Sequence, residues 1–523
     1  MSGIETSIRW ITPSGDDLID GVLQSTVWGD SEITYGFPTS AAVYGDYSGG
    51  AGEPTGFLAL TPAMMTAAIF ALDAQGTAAD AFSLEGFTQL SVVATSRAEA
   101  TIRLAQTTTD PYHYGTAWSY YPYPDETGGD VWFSTASGSY TNPIAGNYAW
   151  LTIIHEIGHA LGLSHGHQAS GTFDALPYDW DSMEFSVMTY RAYVGASATA
   201  GYYNETYGYA QSWMMLDIAA LQYLYGADYA RNSGDTVYRW TPGSGITLID
   251  GDAAITPGGN RIFATVWDGG GVDTYDLSAY DSDLAIDLAP GGHSAFSAAQ
   301  LANLGDGHVA RGNIFNALLY QDDPRSLIEN AIGGGGNDRI GGNAADNRLQ
   351  GGDGADRVLG AAGDDHLLGE AGRDVLLGQA GDDTLLGGAG KDRLLGGNGA
   401  DVIKGGAGND VIDGQGGRDV LWGGTGADSF RFAAASDSKT GGQADVIRDF
   451  TSGTDKIDLS ALVPDAVELR FDGILSGDGA SVTTRALDGG DLRVLADLDG
   501  DGKADFSLLL IGVDQLLSTD FLL

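Results

Sequence analysis

The chain has 523 residues, of which 70 are acidic and 25 basic, giving a formal net charge of −45. That balance excludes nucleic acid and anionic membrane surfaces as partners and favours cations. Cysteine is absent, which excludes thiol catalysis and disulfides, so outside a cell the chain needs another kind of staple.

The length allows two to four domains. Residues 1–30 read as an N-terminal extension or short propeptide; they carry neither a basic n-region nor an apolar h-region. No apolar run is long enough to span a bilayer. Residues 31–235 read as a mixed α/β domain. A strand is expected at Ile33–Phe37. A helix then opens at Thr61, with the threonine as N-cap and Pro62 at the first position, running to about Gln75. Thr101–Ala105 alternates as a strand does, Gly115–Pro124 is aromatic and extended, and Gly129–Phe133 is a short strand. A further helix is expected at Trp213–Tyr225, capped by Ser212 and closed by Gly226.

A helix beginning near Tyr148 carries His155, Glu156, His159, Gly162 and His165 as H-E-x-x-H-x-x-G-x-x-H. Positions i and i+4 share a helix face, so His155 and His159 can point at one ion. Gly162 can end the helix with φ > 0 and turn the chain back to present His165. Three imidazoles leave a fourth position open, the arrangement of a catalytic zinc, and Glu156 can reach a water there. His167 fits the spacing less well than His165. Beyond them, Ser186–Tyr190 places Met188 on a tight turn, the Met-turn that accompanies this extended motif in the metzincins.

Residues 236–332 shift to short strands with Gly/Asp turns. Glycine, at 80 residues, is about double its usual share. From Gly333 to Arg431 the nonapeptide G-G-x-G-x-D-x-U-x recurs eleven times in phase. Its acidic position holds Asp338, Asp356, Asp365, Asp374, Asp383, Asp392, Asp401, Asp410, Asp419 and Asp428, with Asn347 the exception. Its apolar position runs from Ile340 to Phe430. This is the repeat of a calcium-binding parallel β-roll: each unit supplies a six-residue turn and a three-residue strand, and aspartates eighteen residues apart stack. Carboxylate and carbonyl oxygens between stacked turns are the hard ligands calcium prefers. Residues 432–523 continue the β domain. Within them Asp497-Leu-Asp-Gly-Asp-Gly502 imitates the start of an EF-hand loop, with Asp505 at its ninth position but Leu508 at its twelfth; a tight acidic hairpin and a calcium site both fit it.

Along nearly its whole length the chain resembles the serralysins, bacterial secreted zinc endopeptidases with a calcium-dependent β-roll. The resemblance is carried by the histidine motif, Ser186–Tyr190, Leu216–Gly226, Gly234–Tyr238, Glu329–Gly334, the repeats and Asp455–Ser460. It implies an α+β metzincin catalytic domain followed by an all-β parallel β-roll domain, one catalytic zinc, several structural calcium ions and a monomer. It also implies that Tyr190 ligates zinc at rest and swings away to stabilise the oxyanion. Junction calcium ligands carry over to Asn232, Gly234, Thr236, Asp268, Gly270, Asp273 and Glu329; the family has arginine at the place of Asn232, where the ligand is a backbone carbonyl. The C-terminal segment would be the address for one-step export machinery, and protein or peptide substrates would be met outside the cell. The chain departs from the family in having Gly166 and His167 after the third histidine, where proline is usual. The rival expectation is a calcium-stiffened surface or adhesion protein carrying a silenced protease domain.

Overall fold

The computed structural model describes residues 7–44, 52–96, 99–109, 116–136, 138–463, 469–471, 473–475 and 477–523. Gly115 and the first six residues thus lie outside the described residues. The chain forms two compact units, Met1–Asp273 with Pro290–Ile328, and Thr274–Ala289 with Glu329–Leu523. Residues 236–332 are therefore shared between the units.

The first unit is built on a six-stranded sheet in the order Ser91–Ala94, Glu32–Gly36, Ile102–Thr107, Asp130–Ser134, Ala117–Ser119, with Phe57–Leu58 pairing Ile102–Thr107. The first four run parallel and Ala117–Ser119 is antiparallel to its neighbour. Ile102–Thr107 and Asp130–Ser134 are buried at every position, as strands covered on both faces must be. Arg103 and Asp130 face one another across these strands in a buried bidentate pair at 2.7 and 2.9 Å, which satisfies both charges. The edge strand Ala117–Ser119 is pinned at one end by buried Glu53, which accepts from Trp118 Nε1 and Tyr120 Oη.

The helix Pro62–Leu72 opens as expected, Thr61 Oγ1 accepting from Met64 N. It stops three residues short of Gln75 because Asp73 leaves helical space, and its carboxylate accepts from Tyr35 Oη at 2.7 Å. The helix Met215–Tyr225 starts later than its apolar pattern suggests. Ser212 does not cap it: its hydroxyl donates to Trp213 O and accepts from Thr265 N. The carboxylate of Asp217 caps the helix instead, accepting from Met214 N at 2.9 Å.

Through the repeats the second unit builds two sheets of parallel strands, fed alternately by successive units. Residues eighteen apart are ladder partners, Leu349 with Leu367 and Leu367 with Leu385. The apolar positions from Ile340 to Phe430 are all buried and fill the thin space between the sheets. The first and last repeat strands, Arg339–Gly341 and Ser429–Arg431, are three residues long as expected, but those between are six or seven, because pairing continues through the turns, as in Gly352 with Glu370 and Gly354 with Gly372. Stacked turns approach so closely that a Cβ at Gly372, whose φ is +147°, would overlap Gly354 O. Beyond the repeats, Asp445–Ile447 extends one sheet and Lys456–Asp458 the other. Among the described residues no helix is long and apolar enough to cross a membrane.

Candidate functional site

The motif helix spans Tyr148–Leu161, with Asn147 as N-cap accepting from Trp150 N at 2.9 Å. Gly162 ends it with φ +103°, and a Cβ there would press on Thr26 O at 2.9 Å. The last carbonyls, which a helix leaves unpaired, are taken by Trp28 Nε1 at Ala160 O and Tyr225 Oη at Leu161 O. The helix end is thus held, and the chain turns back through Ser164 to His165.

His155, His159 and His165 converge, with one ring nitrogen of each within 4.8 Å of the others. His155 Nδ1–H donates to Val187 O at 2.7 Å and His159 Nδ1–H to Leu163 O at 2.8 Å. These bonds set the tautomer, leaving each Nε2 lone pair free to ligate. His159 Nε2 and His165 Nε2 lie 3.0 Å apart. A single proton could serve two of these rings; only a shared cation serves all three. The donor set therefore fits zinc. Burial holds His155 at about 4 and His159 at about 3, the latter helped by the neighbouring His155; burial and the other imidazoles hold His165 lower still. All three are neutral at pH 7, as ligands must be.

Glu156 is buried, and burial pushes its carboxyl up to about 7 against the hydrogen bond from Ser119. Ser119 Oγ lies 2.7 Å from Glu156 Oε2 and 2.8 Å from Glu156 O, tying the motif helix to the edge strand. Tyr190 sits beside the cluster, its ring 4.5 Å from that of His165 and 4.7 Å from that of His167. His167 stacks there and is not one of the converging three. A cavity of about 490 Å³ opens next to Glu156, lined by Ala117, Tyr148, Thr152, Tyr190, Tyr202 and Tyr209 among others.

Met188 is fully buried, and a Cβ on Gly158 of the motif helix would stand 2.6 Å from its Sδ. The turn that carries it is organised by Asp217, which sequence reading did not single out. Asp217 accepts from Ser186 Oγ at 2.6 Å, Val187 N at 2.8 Å and Met214 N at 2.9 Å. Val187 is the residue whose carbonyl orients His155, so Asp217 acts on the site at one remove. Asp217→Ala is expected to lower the melting temperature and weaken zinc binding about 10–100-fold, read by calorimetry and zinc titration.

Of the expected junction ligands, six gather in the first unit. Thr236 N donates to Asp273 Oδ1 at 2.8 Å, Gly270 N to Asp268 Oδ1 at 2.9 Å and Gly269 N to Asn232 O at 3.0 Å. Thr236 Oγ1 donates to Gly234 O. Asp268 and Asp273 are fully buried, and burial raises Asp268 to about 6; two such carboxylates side by side fit a cation. Glu329 belongs to the second unit, where its carbonyl accepts from Asn347 Nδ2 at 2.9 Å.

The repeat aspartates form two ladders. From Asp356 onward each Oδ1 accepts the amide of the repeat residue eighteen positions earlier, as Asp374 does from Asp356 and Asp383 from Asp365. In every repeat from Asp356 to Asp428, Oδ2 is buried without a hydrogen-bond partner. An orphaned carboxylate oxygen at each turn fits calcium. Asn347 differs: its Nδ2 donates to Glu329 O and Asn343 Oδ1, so its amide meets acceptors that a carboxylate could not. The ladders also run past the repeats. Asp419 N donates to Asp445 Oδ1 and Asp428 N to Asp455 Oδ1. These two aspartates were missed because their spacing is 26 and 27 residues. The signal was present in Asp445-Val-Ile and Asp455-Lys-Ile, which keep the aspartate–x–apolar order.

Residues 227–523 match the family model described as the Peptidase M10 serralysin C terminal. The chain is 35% identical to the metalloprotease AprA of Pseudomonas entomophila over 413 residues, 76% of this chain and 69% of the relative. It is 36% identical to a serralysin of Proteus mirabilis over 243 residues, 45% of this chain and 44% of that protein. It is also 35% identical to the metallopeptidase AprA of Pseudomonas marginalis over 395 residues, 73% of this chain and 66% of that one. The match thus spans less than half of the Proteus relative and about two thirds of the two Pseudomonas ones.

Proposed function

The chain belongs to the serralysin family of metalloproteases, and from that premise we propose that it is a secreted zinc-dependent endopeptidase whose β-roll folds on calcium. The observation that carries the reading is the convergence of three neutral imidazoles beside a buried carboxylic acid. A zinc ion held by His155, His159 and His165 would supply a Lewis acid and a water of lowered pKa.

The chain's own residues do the rest. Glu156 takes the proton of the attacking water and delivers it to the leaving amine. Its raised proton affinity, due to burial, suits a group that must both accept and give near neutral pH. Ser119 Oγ–H holds one carboxylate oxygen and leaves the other for the water. The Tyr190 hydroxyl donates to the oxyanion as charge develops there. Substrate is laid along the outer side of Ala117–Ser119, which is the last strand of its sheet and offers main-chain groups for an added strand. The same strand carries Ser119, so pairing with substrate and orientation of the base are coupled.

The site's test is direct. The purified protein should hydrolyse casein or a peptide library, lose that activity in 1,10-phenanthroline, and regain it with zinc. Undiminished hydrolysis in the chelator, with zinc shown to be removed, rejects the reading.

A further inference from the structure

The acidic loop Asp497–Asp505 lies far along the chain from the zinc site and outside the two aspartate ladders. It connects the antiparallel strands Leu492–Asp497 and Phe506–Leu510. Carboxylate oxygens of Asp497, Asp499 and Asp501 lie within 4.8 Å of one another. An acidic loop of this shape is no site by itself, since glycines and Asx turns account for its backbone. The discriminating observation comes from the neighbouring strand.

Ser481 stands directly opposite Asp497 in the antiparallel pair of Ser481–Ala486 with Leu492–Asp497. Opposed residues send their side chains to the same face of the sheet, with Cβ atoms about 4.5–5.5 Å apart. Ser481 is 1% exposed and Asp497 fully buried, yet Ser481 Oγ has no hydrogen-bond partner. A buried hydroxyl beside a buried carboxylate ordinarily donates to it. Asp497 instead spends its oxygens on loop amides, Oδ1 on Gly500 N at 2.7 Å and Oδ2 on Gly502 N at 2.7 Å. The hydroxyl oxygen is thus left as one more hard donor on the face of the sheet that Asp497 occupies.

We propose that Asp497, Asp499, Asp501 and the Ser481 hydroxyl hold a calcium ion, additional to any in the β-roll. The donors are all oxygen, and three carboxylates converge with one opposing cation beside them among the described residues. That cation is Lys503, whose ammonium is 2.8 Å from Asp501 Oδ2 and whose side chain is 81% exposed; it can swing aside at little cost. Asp505 Oδ2 accepts from Leu498 N at 2.8 Å and braces the loop's entry. Leu508 stands where a bidentate glutamate would complete an EF-hand loop, and the serine of the adjacent strand offers a weaker substitute. The affinity expected is therefore that of extracellular modules, about 10⁻⁴–10⁻³ M. An ion here would join the loop to the strand beside it and stiffen three of the last strands in the sheet.

The test counts ions on the full-length protein. Native mass spectrometry after stripping with EDTA and titration with CaCl₂ alone should show one calcium fewer on D499N/D501N than on wild type, with the roll's circular dichroism unchanged. Ser481→Ala removes a hydroxyl that bonds to nothing, so its fold is secure; it should weaken one calcium site about tenfold and leave the others alone. An unchanged count in the double variant, or an unchanged titration in Ser481→Ala, overturns the proposal.

Discussion

Glu156→Gln is expected to lower kcat/KM on a fluorogenic peptide by about 10²–10⁴-fold, the usual contribution of a general acid–base group, with KM little altered. The substitution is nearly isosteric and acts on one function. The amide oxygen can still accept from Ser119 Oγ, which now stands 2.7 Å from Glu156 Oε2. The three imidazoles and their carbonyl partners at Val187 and Leu163 are untouched, so zinc content by atomic absorption should equal that of wild type. Stability should hold or rise, because the side chain is buried and burial already pushes its carboxyl up to about 7; removing an ionisable group from such a place relieves a desolvation cost. The fall in rate would then belong to proton transfer rather than to lost metal or lost fold. Wild-type rates in a zinc-replete variant would remove Glu156 from the chemistry. The same measurement separates the peptidase from a surface protein with a silenced protease domain, in which wild type and variant would be equally inert.

What could be read from the sequence was local or periodic. The cap at Thr61 and the turn-back at Gly162 rest on residues next to the elements they end. The stacking of residues eighteen apart follows from a nine-residue period shared by two sheets, and Leu349 with Leu367 shows it. What could not be read depends on partners distant in sequence. Asp217 grips the turn of Met188 from 30 residues away at Val187, and Ser119 reaches Glu156 across 37; neither leaves a trace in spacing. Asp445 and Asp455 continue the ladders, but longer connections break the period. Ser212 looked like a cap by residue type and lost the place to Asp217, whose buried carboxylate takes both the helix amide and the Met188 turn. The sharing of residues 236–332 between two units is a matter of where the chain returns, which composition does not encode.

Calcium removal should be tolerated below neutrality and should unfold the roll above it. Without cations, burial first and neighbouring carboxylates second raise the ladder aspartates: Asp356, Asp365 and Asp401 to about 7, Asp392, Asp419 and Asp428 to about 6, and Asp445 to about 9. In the unfolded chain the same groups titrate near 3.9. The folded roll therefore binds protons more tightly than the unfolded chain between about pH 4 and 7, and its stability falls as pH rises through that window. Protons silence the orphaned Oδ2 oxygens in acid; above neutrality a bound cation would be needed to do so. Self-repulsion from a net charge of −45 acts in the same direction, since it grows as carboxylates ionise. In EGTA the far-UV circular dichroism of the roll should thus be present at pH 5, lost by pH 8, and restored at pH 8 by millimolar calcium. Calcium's stabilising effect, measured as a shift in melting temperature, should shrink steadily on going from pH 8 to pH 5, because calcium needs the deprotonated ligands that acid removes. A roll that stays folded in EGTA at pH 8 would mean that the paired amides and the buried apolar row carry it alone. The carboxylate ladder would then be a consequence of the fold and would not make its formation depend on calcium.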